Sequence, residues 1–122
     1  LLIAAALDDE TLRALKARAE SLGLTPLIEV HDETEMQRAI AAEARVIGIN
    51  NRDLRTFVTT LETTERLAPM APENSLIIAE SGIRGADDAR RLKAAGAHAL
   101  LVGEHLLRAP DVGAALRALR AF

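Results

Sequence analysis

Five nearly continuous apolar runs, separated by segments with helical spacing, constrain the fold of this chain more than any other feature. Apolar runs without polar alternation are typical of parallel strands that are covered on both faces. The runs start roughly 20 to 30 residues apart, which leaves room for one helix and two short loops between successive strands. The sequence therefore predicts a parallel α/β fold with strands at Leu1–Leu7, Leu24–Val30, Val46–Asn50, Ser75–Glu80 and Ala97–Gly103.

Helix start and stop signals fill the gaps between these runs. Asp9 is expected to cap the first helix and Gly23 to end it, while Asp32 with Glu35 forms a capping-box-like start for the second. Pro110 is expected in the first turn of the last helix. The predicted helices cover Thr11–Leu22, residues 32 to 43, Leu61–Leu67, Ala86–Ala95 and a segment from Pro110 onward, with a short extra helix at Glu104–Leu107.

Composition excludes several classes of partner. The formal charge of -3 gives no basic surface for nucleic acid, and only two residues are aromatic. The chain has no cysteine, so a reducing compartment, the cytoplasm, is expected. No apolar run approaches the roughly 20 residues that a membrane span requires. The three histidines, His31, His98 and His105, show no metal-ligand spacing and are expected to be rim or surface residues, so neither a metal nor a cofactor is predicted.

Polar or small residues end four of the predicted strands, where a buried strand normally avoids them. Glu29, Asn50 and Glu80 each end a row of alternate residues that shares one face of its strand. Such rows, which end in polar groups, are typical of a (β/α)8 TIM barrel. An open doubly wound sheet also explains the alternation of strands and helices, but not the polar groups at the strand ends. A whole barrel needs about 250 residues. Residues 1–122 are therefore predicted to form one domain that is part of a barrel, without an internal boundary.

Glu29 and Glu80 are candidates for acid/base chemistry, because a carboxyl at the inward end of a strand is partly desolvated and its pKa tends to rise. Asn50 also ends a row of residues that is expected to face the barrel interior, so it is a candidate for orienting a substrate hydroxyl. The Arg52 guanidinium could hold a carboxylate or a phosphate. The alternatives are that the glutamates form rim ion pairs and that this asparagine–arginine segment forms a turn. For Asn51 we prefer the turn.

Two loops with small residues follow the last two predicted strands. Ser81-Gly82 and Gly103-Glu104 are candidates for phosphate binding by backbone N–H groups, because barrels of this kind often hold a phosphate at these two loops. Glycine allows the backbone to approach the phosphate closely. Glu104 is unfavourable next to an anion, so its side chain is expected to point away. The alternative is that these glycines only form turns.

The residues at the strand ends resemble a known family. The segments that carry the resemblance are Leu27-Ile28-Glu29-Val30, Ile47-Gly48-Ile49-Asn50-Asn51-Arg52-Asp53-Leu54, Ala79-Glu80-Ser81-Gly82-Ile83 and Leu101-Val102-Gly103-Glu104. They look like consecutive signatures of the indole-3-glycerol-phosphate synthase family, a (β/α)8 barrel of tryptophan biosynthesis, from its fourth strand to its C-terminus. The resemblance implies a carboxy-lyase that closes the ring of 1-(2-carboxyphenylamino)-1-deoxyribulose 5-phosphate, loses carbon dioxide and water, and uses no cofactor.

The resemblance also implies roles for individual residues. Glu29 matches the glutamate that performs acid/base work in the dehydration, and Asn50 and Glu80 match residues that hold and polarise the ribulose-derived hydroxyls. Arg52 matches the arginine near the anthranilate end of the substrate. The residues matching the phosphate loops are Ser81, Gly82, Gly103 and Glu104. The family often has serine at the position of His105, and we expect little effect of this difference if backbone groups hold the phosphate.

The family's catalytic lysines belong to strands that precede the matched segment, and Lys16 and Lys93 lie on predicted helices. We therefore expect the 122 residues alone to be inactive, and we expect the remaining barrel strands or a second copy of the chain to cover the open sheet edges. Two alternatives remain. One is a non-catalytic half-barrel that self-associates and retains phosphate binding; the other is a different phosphate-binding TIM-barrel enzyme.

Overall fold

The computed structural model describes residues 1–120 and 122. A five-stranded parallel sheet with the strand order β1-β2-β3-β4-β5 organises the chain, so every strand pairs with its neighbour in sequence. The strands are β1 (Leu2–Ile3), β2 (Ile28–Val30), β3 (Val46–Asn50), β4 (Leu76–Glu80) and β5 (Ala99–Leu101). This order confirms the predicted parallel arrangement of successive β/α units.

Helices connect the strands as the sequence predicts. They are α1 (Asp9–Ser21), α2 (Glu33–Ala41), α3 (Glu62–Leu67), α4 (Ala86–Ala94), α5 (Glu104–Arg108) and α6 (Val112–Leu119), with 3-10 turns at Ala4–Ala6 and Ala68–Met70. The short extra helix predicted after the last strand is present as α5. Within the described residues, no helix combines the length and the apolar character needed to cross a membrane.

Two predicted helix starts are wrong by one or two residues. Asp8, not Asp9, caps α1, because the Asp8 carboxylate accepts a hydrogen bond of 2.7 Å from the backbone N–H of Thr11. At the last helix, Asp111 is the cap and α6 begins after it, two residues beyond Pro110. In both cases the aspartate side chain that reaches a free N–H decides the start.

Three predicted strands are shorter than their apolar runs, and in two of them the first apolar residue completes the preceding helix instead. The N–H of Leu24 donates to the carbonyl of Ala19 (3.0 Å), and the N–H of Ala97 donates to that of Leu92 (3.0 Å). Such bonds, with an apolar residue following a left-handed terminator, are typical of the Schellman motif. The run Leu24–Val30 therefore contributes a strand only at its C-terminal end, the run Ala97–Gly103 only at its centre, and Leu1–Leu7 turns into a 3-10 helix after Ile3.

The hydrophobic core lies between the sheet and the helices. Strand residues on the helix-facing side, such as Ile28, Ile49 and Ile77, are buried, and they pack in one cluster with helix residues that include Met36 and Leu92. The other face is open at the β4–β5 side of the sheet, where Leu76 and Leu101 are half exposed. Among the described residues the helices thus cover one face of the sheet, and the opposite face is partly open at β4 and β5.

Glu43 occupies a position in which glycine is favoured. It follows α2 with a φ of 55°, and the neighbouring N–H of Ala44 donates to the carbonyl of Ala39 (3.0 Å). Glycine takes the corresponding position after α1 and α4, at Gly23 and Gly96, with positive φ angles. A side chain in this left-handed region costs about 1 kcal/mol, which glycine avoids.

We therefore expect Glu43→Gly to increase the free energy of unfolding by about 0.5 to 1 kcal/mol. Chemical denaturation followed by circular dichroism measures the change. Gly23→Ala is the matched control and is expected to shift stability by a similar amount in the opposite direction, because Gly23 has a φ of 74° and open space around it. A loss of stability in Glu43→Gly would contradict the expectation.

Candidate active site

Glu29, Asn50 and Glu80 lie together at the carboxyl ends of three neighbouring strands. In the sheet register Glu29 is opposite Gly48, and Asn50 is opposite Glu80, so the three side chains share the face that the helices do not cover. All three residues are buried, with 4 to 8% of their surface exposed. The Asn50 Nδ2 group donates a hydrogen bond of 3.2 Å to Glu29 Oε1. The structure thus brings together the three residues that the sequence nominated for catalysis.

The Glu80 carboxyl lies directly above the backbone of Gly48. A Cβ atom at Gly48 would stand 2.0 Å from Glu80 Oε1, so the absent side chain is what leaves room for this oxygen. Glu80 Oε1 is buried without a hydrogen-bond partner among the described residues. Burial, repulsion by Glu29 and a hydrogen bond to Glu29 together raise the pKa of Glu80 to about 7. Two adjacent carboxyls, one of which keeps its proton to neutral pH, form an acid/base pair.

Arg52 links the loop after β3 to the loop after β5. Its backbone N–H donates to Asn50 Oδ1 (3.0 Å), and its Nη2 donates to Glu104 Oε2 (2.9 Å). The hydrogen bond from Arg52 and the nearby charge of Arg108 lower the pKa of Glu104. The two arginines thus hold the Glu104 side chain, which remains half exposed, in two ion pairs.

The loops after β4 and β5 form one cleft of ≈ 780 Å³. Ser81 and Gly82 both have left-handed backbone conformations, with φ angles of 66° and 75°. Gly82 is also close to Thr59, whose Cγ2 atom would lie 2.6 Å from a Cβ at this position. The cleft brings together the predicted phosphate residues Ser81, Gly82, Gly103 and Glu104 with Arg52 and Glu80.

Asn51 connects the loops after β3 and β4 to helix α3, a contact that the sequence did not reveal. Its side chain follows Asn50 and therefore faces the opposite side of the strand, where it is 1% exposed. Asn51 Oδ1 accepts hydrogen bonds from the Oγ1 (2.8 Å) and backbone N (3.2 Å) of Thr64 on α3, and its Nδ2 donates to the carbonyl of Ser81 (3.1 Å). The prediction of a simple turn at Asn51 is wrong, because these bonds make it a buried structural residue.

Comparison with known proteins decides the family. The sequence model described as indole-3-glycerol phosphate synthase matches residues 1–119. The chain belongs to the indole-3-glycerol phosphate synthase family. A synthase of this name from Roseiflexus sp. (strain RS-1) is 52% identical over 121 residues, which cover 98% of this chain and 45% of the relative. One from Opitutus terrae is 50% identical, with coverage of 99% and 46%. The chain thus spans about half the length of the curated synthases that it matches.

Solved structures support the same fold at lower sequence identity. Thiamine phosphate pyrophosphorylase from Pyrococcus furiosus superposes with a TM-score of 0.70 at 21% identity, covering 93% of this chain and 53% of that protein. A structure described as native KDPGal superposes with a TM-score of 0.65 at 21% identity, covering 95% and 52%. The fold class, parallel β/α units of a TIM barrel, is confirmed by these matches and by the strand order.

Asn51 offers a prediction about how this synthase-family site is supported. We expect Asn51→Ala to lower the free energy of unfolding by about 2 to 3 kcal/mol, because the N–H of Thr64 and the carbonyl of Ser81 would lose their buried partner. Chemical denaturation measures the change. Asn74 is exposed, and Asn74→Ala is the matched control, with an expected change within about 0.5 kcal/mol. Equal stability of the two variants would contradict the structural role of Asn51.

Proposed function

We propose that this chain provides the phosphate-binding side of an indole-3-glycerol-phosphate synthase active site. The reaction is the ring closure of 1-(2-carboxyphenylamino)-1-deoxyribulose 5-phosphate with loss of carbon dioxide and water, a carboxy-lyase step of tryptophan biosynthesis. The observation that carries the proposal is the buried pair of Glu29 and Glu80, joined by Asn50, at the carboxyl edge of the sheet of a chain that belongs to this family.

Dehydration requires a group that gives a proton to a leaving hydroxyl and a group that removes a proton from carbon. Glu29 is assigned the acid/base role, and its contact with Asn50 supports this assignment because an amide can orient both the carboxyl and a substrate hydroxyl. Glu80 keeps its proton to near neutral pH, since burial raises its pKa to about 7, so it can donate a hydrogen bond to a ribulose-derived hydroxyl.

The substrate's two anionic ends have separate candidate sites. The Arg52 guanidinium, which is partly exposed, is assigned to the anthranilate carboxylate, where it would exchange Glu104 for the substrate. The backbone of Ser81-Gly82 and Gly103 is assigned to the phosphate. The left-handed conformations of Ser81 and Gly82 support this, because they turn successive N–H groups toward a common side.

A turnover measurement tests the proposal. We expect the full-length gene product to form indole-3-glycerol phosphate, detected by its absorbance and fluorescence, without an added metal or cofactor. We expect residues 1–122 alone to be inactive, because the resemblance assigns the catalytic lysines to preceding strands. Failure of the full-length product to convert the substrate would refute the proposed reaction, and turnover by the 122 residues would refute the need for those lysines.

The open sheet face favours one further candidate, which is self-association of a half-barrel. Leu76 and Leu101 are half exposed on this face, and β1 and β5 are edges with one neighbouring strand each. In our proposal the remaining barrel strands cover this surface, while in the alternative a second copy of the chain does so. Sedimentation of residues 1–122 over a range of concentrations separates the two, since a monomer at all concentrations removes the alternative.

The compartment that we propose for this reaction is the cytoplasm. The basis is that a chain without cysteine gains no disulfide from an oxidising environment.

A further inference from the structure

His31 lies beside Glu29 at the same rim, although its sequence context indicated no role. Residues two apart in an extended strand share a face, and His31 follows β2 two residues after Glu29. The His31 side chain is 12% exposed, and its Nε2 atom stands 3.2 Å from Glu29 Oε1. That oxygen is also the one that accepts the hydrogen bond from Asn50. The imidazole and the amide thus converge on one oxygen of the carboxyl.

The other side of the imidazole is held by Glu35. Glu35 Oε2 lies 3.0 Å from His31 Nδ1 and also accepts the backbone N–H of His31 at 2.8 Å. The Glu35 backbone is fixed in turn, because its N–H donates to the carboxylate of Asp32, the cap of α2. Glu35 therefore reaches back to the residue before the cap, and the first turn of α2 clamps the ring.

Among the described residues, the Glu35 carboxylate forms an ion pair with His31 and with no arginine or lysine. The Arg38 guanidinium lines the same pocket as His31 and Glu35, but it donates to the carbonyl of Ala4 (2.8 Å) and to Asp9 Oδ1 (2.6 Å). Each ring nitrogen of His31 therefore faces one carboxyl group, Nδ1 that of Glu35 and Nε2 that of Glu29. With a proton on each nitrogen, an imidazole ring can donate to two such groups at once. Nε2 is buried and forms no hydrogen bond within the part of the chain that the structure describes, and Glu29 Oε1 lies within ion-pair distance of it at 3.2 Å.

From these contacts we infer that His31 is the positioning residue for Glu29: clamped by Glu35, it holds the Glu29 carboxyl in the orientation that proton transfer requires. The inference rests on the proposed function, because Glu29 is the acid/base group of that reaction. In this role His31 acts through Glu29, much as an orienting group acts through a catalytic base in other enzymes.

Two amide substitutions separate the two contacts of the ring. In His31→Gln the side-chain amide can take the place of Nε2 and keep the contact with Glu29. In His31→Asn the shorter side chain can take the place of Nδ1, so the contact with Glu35 remains and the contact with Glu29 is lost. We expect His31→Asn in the full-length gene product to lower kcat about tenfold or more with KM within about threefold, and His31→Gln to retain kcat within about threefold.

Crystal structures of both variants provide a readout that does not depend on activity. We expect the Glu29 carboxyl to lose its contact with Asn50 in His31→Asn and to keep it in His31→Gln. The inference is overturned if Glu29 keeps its position in His31→Asn, or if the two variants lose kcat equally. A full-length protein that does not form indole-3-glycerol phosphate would refute the proposed function, whereas the position of Glu29 in the two variants would still decide the role of His31.

Discussion

Alanine in place of Gly48 is expected to reduce turnover by the full-length gene product about 100-fold or more while the fold remains intact. The new Cβ would stand 2.0 Å from Glu80 Oε1 and 3.0 Å from its Cδ, closer than nonbonded atoms can approach. The Glu80 carboxyl is the end of a flexible side chain, so it moves and the backbone does not. The displaced carboxyl then no longer lies beside Glu29, and the acid/base pair is broken.

Stability distinguishes this effect from general damage to the sheet. We expect Gly48→Ala to change the free energy of unfolding by no more than about 1 kcal/mol. Alanine reduces the conformational entropy of the unfolded chain, and this stabilising effect offsets part of the crowding in the folded state. Gly85→Ala is the matched control, since Gly85 has an extended backbone with nothing near its absent side chain, and its turnover is expected to match the wild type. Wild-type turnover in Gly48→Ala would contradict the expectation that the absent side chain of Gly48 leaves the space that the Glu80 carboxyl needs.

Glu80→Gln is expected to abolish most turnover and, at the same time, to stabilise the fold at alkaline pH. The pKa of Glu80 is raised from 4.5 to about 7 by burial and by Glu29. The stability that the neutral carboxyl contributes is fully present below the unfolded-state value of 4.5 and is lost as the pH rises through 7. Glutamine stays neutral at every pH, so the variant avoids the cost of burying a second negative charge.

The stability advantage of Glu80→Gln should therefore grow with pH. We expect it to be larger at pH 8 than at pH 5 by about 1 to 2 kcal/mol, measured by chemical denaturation of both proteins at the two pH values. Glu65→Gln is the matched control on the surface, where Arg91 lowers the pKa of the carboxyl, and it should show no such gain. An advantage that is equal at pH 5 and pH 8 would show that Glu80 is not the group that titrates.

Strand parity allowed the main site residues to be predicted from the sequence. Glu29, Asn50 and Glu80 were chosen because each ends an alternating row, and in a parallel sheet such rows end at a common edge. The alternation of residues along a strand assigns each residue to a face of the sheet, but it does not show how far a side chain reaches toward the neighbouring strands. For this reason the sequence did not reveal that the Glu80 carboxyl fills the space above Gly48 or that His31 reaches Glu29.

The remaining errors arise from local competition for hydrogen bonds. Asp8 and Asp9 are adjacent and equally suited to cap α1, and only the backbone geometry decides that Asp8 reaches the N–H of Thr11. Hydrophobicity predicts burial but not the hydrogen-bond partner, so Leu24 was assigned to a strand although its N–H completes α1. The sequence around Asn51 indicates a turn because a local pattern does not reveal its three hydrogen bonds, two of them buried, to residues that are 13 and 30 positions away.

The strand order has a consequence for how the chain acquires its structure during synthesis. Because each strand pairs with the one that precedes it in sequence, every new β/α unit leaving the ribosome finds its neighbour already made. Within the sheet that the structure describes, no strand must wait for a distant partner, because neighbouring strands are separated by a single β/α connection. The sheet can therefore grow vectorially from β1 to β5, and the edge that carries Glu29, Asn50 and Glu80 is assembled one residue at a time in that order.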